Sequence, residues 1–224
     1  MMPPDSLADL GQDFANRFGE LLKTAGANAR PREPALLPVA GAMSQLTCEG
    51  FMGGKDVEIV LVRVKRDVAG KALAVKETLT YRGDVAGSDL VYDLTGKFMQ
   101  GKARPFDCDL RQQPVRLYAL LPFQVESLSV VAKQQAGNVS IEIEFQNALG
   151  QRVKGALPCY AELRKPNGMA VWARYLATSV DGHLKTAAEL PLEALRGKWS
   201  LVVRSLLDGR KVTLPVEVGS FAGK

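Results

Sequence analysis

The chain has 224 residues, 46% of them hydrophobic and 24% charged, and carries a net charge of +5. That balance is globular rather than disordered, and no apolar run approaches the roughly 18–20 residues of a membrane-spanning helix. Lys and Arg are scattered singly among Asp and Glu, with no block of five like charges and no RNP-type or helix-turn-helix pattern, so a solvated basic surface is favoured over a nucleic-acid partner.

Residues 5–25, DSLADLGQDFANRFGELLKTA, show the one clear helical period. Leu7, Leu10, Phe14, Phe18, Leu21, Leu22 and Ala25 recur at spacings of three and four and form a single apolar stripe. Ser6 with Asp9 approximates a capping box, and Gly26 is a natural stop. Such a stripe needs a partner: the β-region that follows, a domain outside this sequence, or a second copy meeting it through Leu10, Phe14, Phe18 and Leu21. The three prolines of 28–41 read as a linker running into an extended first strand. No cationic segment followed by an apolar one opens the chain. A start at Met1 therefore implies the cytoplasm, and a longer parent chain leaves an extracytoplasmic place open.

From Met43 to Pro122 the pattern is β. MSQLTCEGF is a short strand, and KDVEIVLVRVKR is apolar on both faces from Val57 to Val64, the mark of a central strand. LAVKETLTY, DLVYDL, ARPFDCDL and PVRLYALLP follow as strands, with turn residues every eight to twelve positions. Seven more short strands occupy about Val125 to Val218: VESLSVVAKQ, VSIEIEFQ, CYAELRK, AVWARYLA, HLKTAAEL, WSLVVRSLL and KVTLPVEV. Asp208-Gly209 between the last two is a two-residue hairpin signal. Trp199 is placed as a core aromatic. The expected fold is mainly β: two tandem antiparallel sandwiches, the second immunoglobulin-like, preceded by one amphipathic helix. The expected divisions are helix and linker over 1–41, a first sandwich over 42–123 and a second over 124–220.

Catalytic signatures are weak. His183 is the only histidine and sits in the turn Asp181-Gly182-His183, with Ser179 close in sequence, so it reads as a solvated turn residue. One histidine makes no multi-histidine metal site. Asp107 and Asp109 flank Cys108 on one side of a strand, about 6.6 Å apart by rise. That spacing does not forbid a glycosidase pair, but solvated carboxylates or weak calcium ligands are the simpler reading. Gly50, Gly53 and Gly54 in EGFMGGKD form a hairpin rather than a phosphate loop. Cys48, Cys108 and Cys159 lie far apart in apolar contexts and read as buried thiols; a Cys48–Cys108 bridge is compatible with the sequence and not required by it. Asn138-Val139-Ser140 fits a glycosylation acceptor, which carries weight only in a secretory setting. For carbohydrate contact the candidates are Trp172, Tyr175 and Tyr160; Trp172 and Tyr175 are three apart and so face opposite ways in a strand.

Two stretches bring a family into view. CEGFMGGKDVEIVLVRVKRD and LVYDLTGKFMQGKARPFDCDLRQQPVRLYALLPF resemble the accessory β-sandwich region near the C-terminal end of large bacterial glycoside hydrolases of the β-galactosidase type that carry a trimerisation domain. The helix at 5–25, with Ala25-Gly26-Ala27 and the prolines, looks like the end of the preceding domain. The resemblance covers about residues 5–125. Beyond it the chain is similar in architecture alone to immunoglobulin-like or macroglobulin-like sandwiches.

Such hydrolases work through a (β/α)₈ barrel with two catalytic glutamates, which 224 residues of this pattern do not contain. The resemblance therefore implies a non-catalytic accessory module without a cofactor, whose partner is a glycoside hydrolase domain or a carbohydrate. A carbohydrate-binding module and a surface or adhesin-type sandwich are the competing expectations.

Overall fold

The computed structural model describes residues 20–21, 24, 28–32, 34–54, 57–65, 75–81, 90–96, 98–102, 104–111, 115–135, 137–191 and 196–219. Among them the chain is mainly β, with antiparallel strands in four sheets, and it divides into two compact units, Met1–Gln124 and Val125–Lys224. Of the helix expected over 5–25, Glu20, Leu21 and Thr24 are described and helical, the Thr24 hydroxyl donating to the Glu20 carbonyl at 2.9 Å. Leu10, Phe14 and Phe18 lie outside the described residues.

The first unit holds β1 (Asn28–Arg32), β2 (Leu36–Pro38), β3 (Leu46–Met52), β4 (Glu58–Val64), β5 (Lys76–Tyr81), β6 (Leu90–Asp93), β7 (Phe98–Lys102), β8 (Phe106–Asp109) and β9 (Val115–Leu121). One sheet runs β1-β3-β4-β9-β6-β7 and the other β2-β5-β8. Val60, Val62, Tyr118 and Leu120 of the first meet Leu36, Leu79 and Cys108 of the second in one apolar core. The opposite side of β4 and β9 is buried too, through Ile59, Leu61, Leu117, Ala119 and Leu121. A strand apolar on both sides is stable only as a central one, and β4 lies between β3 and β9.

Two features of this unit go beyond the sequence reading. The segment 28–41, expected to run into one extended strand, contributes two, β1 pairing with β3 and β2 with β5. Strand β7 was not anticipated, because Phe-Met-Gln-Gly-Lys has no alternation and Phe98 is its one strong β-former. It forms because Asp93 accepts from the backbone N–H groups of Thr95 (2.9 Å) and Gly96 (2.8 Å), turning the chain back onto β6.

The second unit holds β10 (Ser127–Gln135), β11 (Asn138–Gln146), β12 (Pro158–Arg164), β13 (Ala170–Ala177), β14 (His183–Glu189), β15 (Gly197–Ser205) and β16 (Lys211–Val218). Its sheets run β10-β11-β14 and β13-β12-β15-β16. Alternation is clear on β11, where Val139, Ile141, Ile143 and Phe145 are buried and the residues between them are not. Cys159, Ala161 and Leu163 of β12 and Trp199, Leu201 and Val203 of β15 are the buried apolar set of the other sheet. The Asp208-Gly209 hairpin is longer than expected. Ser205 N–H donates to the Arg210 carbonyl at 2.8 Å, leaving 206–209 as the turn, with Gly209 at φ 73°. Leu206 and Leu207 are both buried, and a two-residue turn would have to leave them in a hairpin instead.

Candidate functional site

The acid–base candidates are held by local partners. Asp107 and Asp109 do share the exposed side of β8, with Cys108 turned into the core. Asp107 pairs with Lys76 at 2.7 Å and accepts from Thr78 Oγ1 at 3.1 Å. Asp109 takes both a side-chain and a backbone donor from Arg111, at 2.6 and 3.0 Å. Hydrogen bonds from Lys76 and Thr78 hold Asp107 below the usual carboxylate range, and those from Arg111 hold Asp109 lower still. Two fully ionised carboxylates cannot supply the protonated acid that glycoside cleavage needs.

His183 opens β14, half-buried, with Nε2 4.0 Å from a Glu144 carboxylate oxygen that also pairs with Arg152. Its carbonyl accepts from Ser179 N–H at 2.9 Å, so Ser179 meets this histidine through the backbone. All three thiols are free. Burial pushes Cys48 and Cys159 up to about 12 and Cys108 to about 11, the last accepting a hydrogen bond from Tyr118 Oη at 3.4 Å. Neutral thiols at physiological pH are poor nucleophiles. Among the described residues no group of three or more His, Cys, Asp or Glu could hold a metal ion. No described helix is long and apolar enough to cross a membrane. Asn138 of the glycosylation-type triplet begins β11, exposed.

The aromatic candidates separate by strand parity. Tyr160 on β12 lies opposite Tyr175 on β13, and their rings pack with centroids 5.1 Å apart and planes tilted by 54°. Trp172 instead pairs with Leu163, a core residue, and so projects to the other side of the sheet. The structure thus brings Tyr160 and Tyr175 together and leaves Trp172 apart. Both tyrosines are half-buried on the outer face of the four-stranded sheet.

That face carries charge which sequence reading did not connect with the aromatics. Arg204 of β15 is the partner of Tyr160, and Lys211 of β16 is the partner of Arg204. Tyr175, Tyr160, Arg204 and Lys211 therefore form one row across all four strands. One position along, Ala173, Glu162, Val202 and Thr213 form a second row. Glu162 is buried at 2% exposure and accepts from Arg164, while its other carboxylate oxygen has no hydrogen-bond partner. Burial and the Glu162 charge push the Tyr160 phenol up, and Arg164 and Arg204 pull it back. The signal that would have found Arg204 and Lys211 is hairpin register. A two-residue turn at Asp208-Gly209 sets Arg204 opposite Thr213, whereas the longer turn sets it opposite Lys211.

No family model and no curated protein sequence matches the chain. Among solved structures it is similar to a β-glycosidase from Bacteroides vulgatus (12% identity, TM-score 0.29, 73% of this chain and 26% of that one). It is also similar to a glycosyl hydrolase family 2 member from Bacteroides cellulosilyticus DSM 14838 (10%, 0.29, 73% and 28%). A third is a β-glucuronidase from Ruminococcus gnavus (11%, 0.25, 73% and 36%). The chain spans about a quarter to a third of the length of these enzymes.

Proposed function

We propose that the chain is a non-catalytic, two-sandwich accessory module of a bacterial carbohydrate-active protein, with catalysis residing elsewhere in a parent chain or in a partner. The observation that carries the non-catalytic part is the state of its candidate catalytic groups. Asp107 and Asp109 are each locked to a cation, and the three thiols are held neutral by burial. The carbohydrate association is supported by the resemblance of CEGFMGGKDVEIVLVRVKRD and the stretch from Leu90 to Phe123.

On this reading the chain has a leading segment over 1–41, a first sandwich over 42–123 that recruits the strands of 28–38, and an immunoglobulin-like sandwich over 124–220. The last assignment is supported by a three-plus-four arrangement, with the first, second and fifth strands of the unit in one sheet and the fourth, third, sixth and seventh in the other.

The test is a turnover assay of the purified chain with aryl glycosides, beside a pull-down from the native cells. No hydrolysis, together with a glycoside hydrolase recovered in the same chain or stoichiometrically with it, is the expected result. Hydrolysis lost in both Asp107→Asn and Asp109→Asn would sink the non-catalytic reading. A second reading, a carbohydrate-binding module, is favoured by the Tyr160–Tyr175 pair on an outer sheet face.

A further inference from the structure

We propose that the outer face of β13, β12, β15 and β16 is a binding surface for an acidic oligosaccharide, one whose sugar rings carry carboxylates. The inference rests on the carbohydrate-binding reading above and adds the class of sugar. Four residues in one register row carry it: Tyr175, Tyr160, Arg204 and Lys211. Three inter-strand spacings make the row about 14 Å long. One end is aromatic and the other cationic.

Arg204 and Lys211 stand directly opposite each other, and among the described residues neither has an ion-pair partner. Like charges facing across neighbouring strands destabilise a sheet. Other cations of the unit do have local partners: Lys185 with Glu142 at 3.2 Å, Arg210 with Asp208 at 3.2 Å, and Arg164 with Glu162. An anion arriving between Arg204 and Lys211 removes the repulsion, and the guanidinium fork matches a carboxylate in geometry.

The aromatic end selects for a sugar. A half-exposed tyrosine pair offers apolar ring surface to the apolar face of a pyranose. The second row has Ala173 and Thr213, small and exposed, at its ends, with Glu162 and Val202 buried between them, so the exposed part of the face is the first row and these two ends. A nucleic acid is less well matched. Single strands call for bases stacked on open rings along a continuous track of cations, and here two tilted rings stand beside two cations.

The experiment is calorimetric titration of the full chain with tetragalacturonate, cellotetraose, a sulfated chondroitin tetrasaccharide and oligo-dT. Saturable binding of tetragalacturonate is expected, with no detectable binding of cellotetraose. Arg204→Gln and Lys211→Ala should each weaken it about tenfold or more, as expected for loss of one charge-assisted contact. Tyr160→Ala should weaken it similarly, and Tyr175→Ala supplies the aromatic test if that variant is poorly folded. Lys133→Ala, on the other sheet, should change nothing.

Equal binding of cellotetraose and tetragalacturonate, or indifference to Arg204→Gln and Lys211→Ala, would overturn the acidic-sugar inference and leave the carbohydrate reading standing. Preference for the sulfated sugar would overturn the carboxylate assignment alone. Binding of oligo-dT in place of sugars, or of nothing, would overturn the inference and the carbohydrate-binding reading together.

Discussion

Asp93 shows how much one buried residue can organise. It is fully buried, takes Arg116 Nη1 at 2.6 Å on one oxygen and two backbone N–H groups on the other. Arg116 in turn donates to the Asp109 carbonyl at 3.1 Å, joining the two sheets of the first unit. Removing one member of such a pair leaves the other partly buried and uncompensated. Asp93→Ala should destabilise the first unit by about 3–5 kcal/mol, read from its urea midpoint; a change near zero would mean water replaces the carboxylate. Gly182 is a different case. At φ 80°, a Cβ there would stand 1.9 Å from the Val153 carbonyl oxygen. Gly182→Ala combines left-handed strain with a backbone clash and should cost about 3 kcal/mol or more in the second unit. The buried thiols give a readout of folding: Cys159 should ignore a thiol reagent at pH 8 and react on unfolding. Because folding raises the thiol values, their stabilising contribution is whole below the unfolded thiol pKa of about 8.5 and is lost as pH climbs towards 11–12.

At the scale of elements, β8 and its neighbour β5 set the acid behaviour. Asp107 and Asp109 are exposed and their values are lowered by donors on β5 and at Arg111. Groups lowered by folding stabilise above their unfolded value and lose that contribution as pH falls through the folded one. The effect therefore belongs below pH about 4. Being exposed, the two pairs are screened by salt. Asp107→Asn with Asp109→Asn should flatten the acid limb of a stability–pH curve and leave the plateau near pH 7 within experimental error. A steep acid limb surviving in that variant would place the titrating groups elsewhere. The β15–β16 turn carries the other element-scale lesson. Burial of Leu206 and Leu207 lengthens it, and that choice sets Lys211 rather than Thr213 opposite Arg204.

For the whole molecule, each unit has its own buried core, so each can be tested by itself. A protein of residues 125–224 should fold and melt in one cooperative transition with the strand content seen in the full chain. If it does not, the second unit depends on residues outside it. The apolar stripe read at 5–25 makes a separate prediction. Phe14→Ser with Phe18→Ser should reduce self-association on a sizing column and leave the melting of the second unit unchanged. A lowered transition across the whole chain would show that this stripe is part of the folded core.

The sequence by itself determined the mainly β class, because period-two alternation on segments such as NVSIEIEFQ reports which side meets water. It also determined the central place of β4, since apolar residues on both sides need cover on both. It marked Tyr160 and Tyr175, and by parity it separated Trp172 from Tyr175. It could not show β7, whose pairing depends on a turn built by Asp93 rather than on its own residues. Nor could it show that Asp107 and Asp109 each end up beside a cation, because Lys76 reaches Asp107 only through the pairing of β5 with β8. The row from Tyr175 to Lys211 is likewise a tertiary fact. Its members come from four strands, and register between strands is decided by how turns bury their apolar residues, which local pattern does not encode.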